Sequence, residues 1–345
     1  MGPQTVRWSS WKEQQREGKR VESNSDGNCC PNLALVLAAG TAYAPRVTMP
    51  LPAHHTKHLN SLTYPIGLDL TVNLLQIDDG KTNGTGLWLG AQCLSLFLAN
   101  SQKRPSPSIG RPKAVELGSG IGLTAWVYLS SDKLHMSLDR LPHRLTLAAL
   151  GWDVLATDVP NVITTVLSQN IAQNAAVLPA GSGCIEIREL DWTVTPEKWS
   201  WDNDRVIASA SCENSPGASN LQFASLQAEC SLQRTGPPFD LIVTSDTVYS
   251  PELAQPLLRT LHTLCSLSRT PHTRCPPIYL CIERRDPALI DRTLAEAKDV
   301  WGFTVVRIPH RKVVKAMDKG GVKWDEEWEG IEIWKLTSAA DVTFV

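Results

Sequence analysis

After residue 110 the sequence alternates short apolar runs with longer stretches of helical periodicity, and this predicts an α/β fold with a mostly parallel sheet and helices on both faces. Two further features support that class. A glycine-rich turn follows the first of these runs, and acidic residues close several later ones, at the end of the strand where open α/β sheets place their sites.

Upstream of the alternation, Leu68 to Ile77 largely alternates apolar with polar residues and suggests a strand closed by Asp78-Asp79-Gly80. Leu87, Ala91, Leu94 and Leu98 recur at helical spacing, and the proline and serine stretch 105–108 ends that helix. Strands are then expected at 112–117, 153–157, 184–189, 239–245, 277–282, 303–308 and 331–336, seven in all. The helix at 287–301 is the best marked, with Asp286 as N-cap, Pro287 at its first position and Gly302 as stop. A helix after Tyr249 opens at Ser250-Pro251-Glu252, or one turn later if Pro256 shifts its start. The basic then acidic stretch from Arg311 to Glu329 reads as a solvated hairpin, whose acidic half could also attract a lysine-rich substrate.

The domain plan is a poorly ordered arm over 1–57, one domain over 58–338 with insertions near 130–147 and 200–236, and a tail over 339–345. A chain of 345 residues, 42% apolar, has enough material for one large core. Its formal net charge of −2 argues against affinity gained by neutralising many phosphates, so direct nucleic-acid binding is not expected. Nine scattered cysteines without a CxxC pair suit a reducing compartment, cytoplasmic or nuclear. The apolar run Leu33 to Ala39 is far shorter than the roughly 20 residues of a membrane span, and no membrane partner is expected. His54, His55 and His58 lack a cysteine or carboxylate at diagnostic spacing and read as surface loop rather than as a metal site.

The chemistry concentrates at the ends of strands. Val115-Glu116-Leu117-Gly118-Ser119-Gly120-Ile121-Gly122 reads as a strand, a tight turn and a helix start, in which glycines let backbone N–H groups approach a ligand. A dinucleotide turn has its third glycine where Leu123 stands, so the spacing disfavours NAD. Asp158, at the end of the second strand, is placed to accept both hydrogen bonds of a ribose diol. It lies about 20 residues farther from the glycines than is usual, which the 130–147 insertion explains. Asp191 beside Trp192 suits the amino group and face of an adenine, and Trp88 faces either the pocket or the core. At the end of the fourth strand, Ser245-Asp246-Thr247-Val248-Tyr249 marks the expected catalytic edge. Asp246 is placed to orient an amine nucleophile and Tyr249 to wall the channel. Valine at Gly120 is expected to block the cofactor by filling ligand space.

Together, E-L-G-S-G-I-G, T-D, L-D-W and D-T-V-Y resemble the D-x-x-Y group of seven-strand methyltransferases, methyltransferase family 16, over about residues 59–337. Gly86-Leu87-Trp88, Ser168 to Asn174, Glu283-Arg284-Arg285 and Ile331 to Leu336 extend the likeness. The resemblance implies a Rossmann-like seven-stranded sheet, mostly parallel with an antiparallel last strand, and S-adenosyl-L-methionine as cofactor. It implies that Trp88, Glu116, Gly118, Ser119, Gly120, Asp158, Asp191, Trp192 and Ser245 line the cofactor site. It places Asp246 and Tyr249 at a substrate lysine, with a specific protein as partner and a monomer as the working unit. Two other readings fit the same residues: a small-molecule N-methyltransferase, and a methyltransferase-like fold that only binds partners.

Overall fold

The computed structural model describes residues 51–65, 71–80, 82–102, 110–125, 147–148, 151–177, 181–210, 234–269 and 275–338. All of them lie in the unit Val47–Val345. Most of the 1–57 arm, most of both expected insertions and the 339–345 tail lie outside the described residues. Residues 51–57 do not behave as the expected arm: Ala53 and Thr56 are buried, and the Ala53 amide donates to Gln92 Oε1 at 2.8 Å.

An antiparallel pair, β1 (Ser61–Pro65) and β2 (Thr71–Leu75), precedes helix α1 (Leu89–Ser101). The main sheet then uses β3 (Lys113–Leu117), β4 (Asp153–Asp158), β5 (Ile185–Leu190), β6 (Val206–Ala208), β7 (Leu241–Ser245), β8 (Ile278–Glu283), β9 (Phe303–Arg307) and β10 (Ile331–Ser338). Their spatial order is β6-β5-β4-β3-β7-β8-β10-β9, and only the pairings of β10 with β8 and β9 are antiparallel. The order reverses between β3 and β7. At such a switch point the connections leave in opposite directions, and a crevice opens at the carboxyl ends of the strands.

The main sheet has eight strands rather than the expected seven. The added one, β6, holds only three residues, too few to show periodicity, and lies inside the stretch expected to be an insertion. Of the first expected strand, the described part from Thr71 to Leu75 is β2, and it pairs with β1 instead of joining the main sheet. The basic half of the expected hairpin is helix α5 (His310–Lys319), in which Val313, Ala316 and Met317 share one buried face while Arg311, Lys312, Lys315 and Lys319 face water. Helix α3 (Pro251–Leu267) starts at Pro251 and carries Pro256 within it. Helix α4 (Pro287–Asp299) has the expected cap, with Asp286 Oδ1 accepting from the Leu289 amide at 3.0 Å. No helix among the described residues is long and apolar enough to cross a membrane. Cys93, Cys265, Cys275 and Cys281 are free thiols, whereas Cys184 is disulfide-bonded.

Helix α2 spans 160–174, with an α-helical start at Pro160–Val162, a π turn over Ile163–Leu167 and an α-helical end at Ser168–Asn174. Two fully buried asparagines on it complete the open edge of β2. Asn170 Oδ1 accepts from the Leu75 amide at 2.6 Å, and its Nδ2 donates to the Leu75 and Ile121 carbonyls at 2.9 and 3.0 Å. Asn174 exchanges the same pair of bonds with Asn73, at 2.9 and 2.7 Å. A buried edge with unpaired amides is costly, so these side chains act as a substitute strand. Asn170→Ala orphans the Leu75 amide and two carbonyls, and we expect it to lower unfolding free energy by about 2–4 kcal/mol in urea titration.

Candidate active site

The carboxyl ends of β3, β4, β5 and β7 meet at the switch point and bring together the residues singled out from the sequence. Glycines 118, 120 and 122 all have positive φ, of 65°, 57° and 84°, which a residue with Cβ adopts only under strain. The turn is pinned to the next strand. The Ser119 amide donates to the Thr157 carbonyl, Ser119 Oγ accepts from the Thr157 amide, and the Gly120 amide donates to Asp158 Oδ2 at 2.8 Å.

Two glycines have different neighbours. A Cβ on Gly118 would lie 2.9 Å from Thr247 and 3.3 Å from the Trp192 ring, so the absence of a side chain lets the turn pack directly against both. A Cβ on Gly120 would meet the Gly84 carbonyl at 3.0 Å. Valine at Gly120 therefore strains the backbone and presses on the packing of the 82–88 loop, a cost separate from any loss of ligand space.

Burial sets the electrostatics. Glu116 is 1% exposed, its Oε2 has no hydrogen-bond partner, and burial pushes its pKa to about 8, with the hydroxyls of Thr124 and Ser119 offsetting part of the effect. Asp158 is pushed to about 6 by burial, against the Gly120 and Val159 amides that favour its charged form. Both of its oxygens accept one backbone bond and retain a lone pair for a diol. Asp191 Oδ1 holds a turn through the Thr193 amide and hydroxyl, at 2.8 and 2.6 Å. The buried Nε1 of Trp192 lacks a partner. Arg259 on α3 fixes this loop by donating to the carbonyls of Trp192, Thr193 and Val194.

On β7, Ser245 is half-buried and Asp246 has φ 54°, a left-handed conformation rare outside glycine. Its Oδ1 accepts from the Glu283 amide at 3.3 Å. Its Oδ2 is sealed from solvent without a partner, although the residue as a whole is only half-buried. Burial raises the Asp246 pKa to about 6, with the Glu283 charge adding to the rise and the Arg285 charge and the Glu283 and Gly90 amides opposing it. Tyr249 is 49% exposed at the rim, and burial of its hydroxyl and then the Asp158 charge raise its pKa. Trp88 caps α1 half-buried, its ring facing Lys57 Nζ at 3.8 Å and the Arg285 guanidinium at 4.4 Å.

Sequence reasoning missed four contributors. Lys57 lies in the stretch expected to be the arm, so nothing flagged it. Glu189, in register with Asp158, is buried with an unpartnered Oε1, and burial raises its pKa. Gly90 gives Asp246 room, since a Cβ there would fall 2.4 Å from Oδ2. Glu327 supplies the carboxylate that the histidine cluster lacked: His55 Nε2 lies 2.5 Å and His54 Nε2 3.8 Å from its Oε1, all three exposed.

These donors and acceptors fit one cofactor. Glu116 Oε2 offers a buried acceptor to an ammonium group, Asp158 free lone pairs to a diol, and Trp192 a flat apolar ring beside Gly118. The family model described as lysine methyltransferase matches residues 70–222, from the start of the β2 region past β6. The chain is an S-adenosylmethionine-dependent methyltransferase. The matched region contains the cofactor half of this enzyme and ends before β7. No curated protein matches the sequence. Among solved structures, it is similar to a methyltransferase from Pyrococcus furiosus, at 12% identity and TM-score 0.35 over 72% of this chain and 81% of that one. A human methyltransferase 10 domain containing protein aligns at 11% identity and TM-score 0.35, over 74% and 84% of the two chains. A precorrin-6y C5,15-methyltransferase from Geobacter metallireducens aligns at 10% identity and TM-score 0.36, over 80% and 100%.

The raised Glu116 pKa sets a pH dependence for the ligand-free methyltransferase. The proton is held more tightly in the folded chain than in the unfolded one, so stability falls as pH rises from the ordinary 4.5 to about 8. Glu116→Gln mimics the protonated acid and escapes that fall. Chemical denaturation should find the variant a few kcal/mol more stable than the parent at about pH 9 and equal to it at about pH 4. Calorimetry should find weaker cofactor binding at both.

Proposed function

We propose that this methyltransferase modifies the side-chain amine of a lysine in a protein substrate, in the cytoplasm or nucleus. The observation that carries the reading is the carboxylate of Asp246, which directly follows β7 at the carboxyl edge of the sheet beside β3, with one oxygen shielded from water and packed over Gly90. The family description over residues 70–222 supports the same target.

S-adenosylmethionine, when bound, supplies a methyl group on a positively charged sulfur. The chain's own residues have to deliver a neutral, oriented amine. Asp246, with its pKa near 6, is ionised at neutral pH and accepts a hydrogen bond from the amine N–H, which turns the nitrogen lone pair away from the carboxylate. Restricting the amine to that orientation matters more here than acid-base power, because nitrogen needs no activation once it has lost its proton. Tyr249 narrows the rim, and its ring face tolerates the cationic product.

Two measurements test this reading. Incubation of the enzyme and labelled cofactor with a cell extract, followed by mass spectrometry, should place the label on lysine in a small set of proteins. Label confined to free amines would overturn the protein substrate. Asp246→Asn keeps the shape and loses the charge. At saturating cofactor its turnover should fall about 100-fold or more, as for loss of a positioned acid-base group, with cofactor affinity within about threefold of the parent. The acid limb near pH 6 in the parent's turnover should be absent from the variant, and a limb that persists would assign that ionisation elsewhere.

A further inference from the structure

A lysine already lies at the edge of this site. Lys57 follows the short turn Ala53–His55, and its segment is fastened to the core at several points. Ala53 is tied to Gln92, Gln76 Nε2 donates to the Thr56 and Leu59 carbonyls at 2.5 and 2.8 Å, and His55 meets Glu327. From that anchor the Lys57 side chain runs inward. Its Nζ donates to the Leu87 carbonyl at 2.5 Å and lies 3.8 Å from the centre of the Trp88 ring. Gly86 leaves room for it, since a Cβ there would stand 3.0 Å from Nζ. Asp246, Glu283 and Asp78 act on the amine as anions and Arg285 as a cation.

This is the environment that a substrate lysine needs. An aromatic face and a carbonyl hold an alkylammonium head, and nearby carboxylates accept its proton. Burial meanwhile weakens the charged form: the Lys57 pKa falls from 10.5 to about 8, chiefly through desolvation, with the Asp78 charge offsetting part of the drop. An amine held there loses its proton more readily than one in water.

We infer that the Leu87 carbonyl and the Trp88 ring form the receptor for the substrate's alkylammonium head, and that Lys57 fills it in the resting protein as a tethered stand-in. The inference rests on the lysine reading above and adds the receptor and its occupant. A substrate lysine then enters by displacing Lys57, and binding is weakened by the fraction of molecules in which Lys57 is seated.

The test uses n-butylammonium chloride as probe and the full chain without cofactor, with affinity read by calorimetry. Lys57→Met empties the receptor and should bind the probe about tenfold or more tightly than the parent, the relief expected when a competing state is removed. Lys57→Gln, which keeps a donor for the Leu87 carbonyl without the charge, should show a smaller gain. Adding Trp88→Leu to Lys57→Met should abolish the gain. General damage to the fold lowers affinity, so a rise cannot come from it. Unchanged or weaker probe binding in both Lys57 variants, or a gain that survives Trp88→Leu, would overturn the inference. The two readings fail separately. Proteins methylated by a parent whose Lys57 variants show no gain leave lysine methylation standing and remove the receptor. A gain without any methylated protein does the reverse.

Discussion

The Asp246 carboxylate, set against the first turn of α1, is the constraint around which the site is arranged. An aspartate with φ of 54° is strained, and strain of this kind persists where surrounding contacts over-determine it. Here the amide of Asp246 is held by the Cys281 carbonyl, one carboxylate oxygen by the Glu283 amide, and the other lies over Gly90. The helix start must therefore lack a side chain at residue 90. That fixes where α1 begins and so where Trp88, its cap, presents its ring. The positive end of the helix also lies beside a carboxylate that burial would otherwise protonate more fully.

The substrate side depends in turn on the small β1–β2 sheet, which has too few strands to be stable alone. Asn170 and Asn174 supply it with the hydrogen bonds of a third strand, and Gln76, buried in the same region, ties it to the Thr56 and Leu59 carbonyls and to the Leu87 amide. Through these amides α2, which follows Asp158, is mechanically connected to the segments that carry Lys57 and Trp88. Cofactor half and substrate half thus share one hydrogen-bonded frame.

Most of this frame was legible in the sequence because central parallel strands buried on both faces, such as β3, β4 and β7, are continuous apolar runs, and seven of the eight strands stood out. The glycine turn, Asp158, Trp192 and Asp246 were legible for a related reason: each sits at the end of such a run, where topology leaves little choice of position. What escaped has physical causes. Strand β6 is too short for any period, and α5 was masked by its charge, since only Val313, Ala316 and Met317 reveal its buried face. Lys57 and Glu327 depend on contacts across long sequence separations, with His55 and Glu327 272 residues apart. Gly90 carries no signal of its own in the helical pattern. Its reason is a carboxylate that arrives from β7, and no local pattern encodes that.

The electrostatics of the two halves run in opposite senses, and this follows from the chemistry each must accommodate. At the cofactor end burial raises the pKa values of Glu116, Asp158 and Glu189, so the empty pocket holds protons that a cationic ligand displaces. By linkage, whatever releases those protons binds more tightly as pH rises toward 8. At the substrate end burial lowers the pKa of an amine, so the same desolvation that keeps a carboxyl protonated helps an ammonium lose its proton. On the proposed lysine reading, both shifts favour a neutral amine meeting a cationic methyl donor at mildly alkaline pH. The same physical cause, removal of the group from water, sets the direction of both.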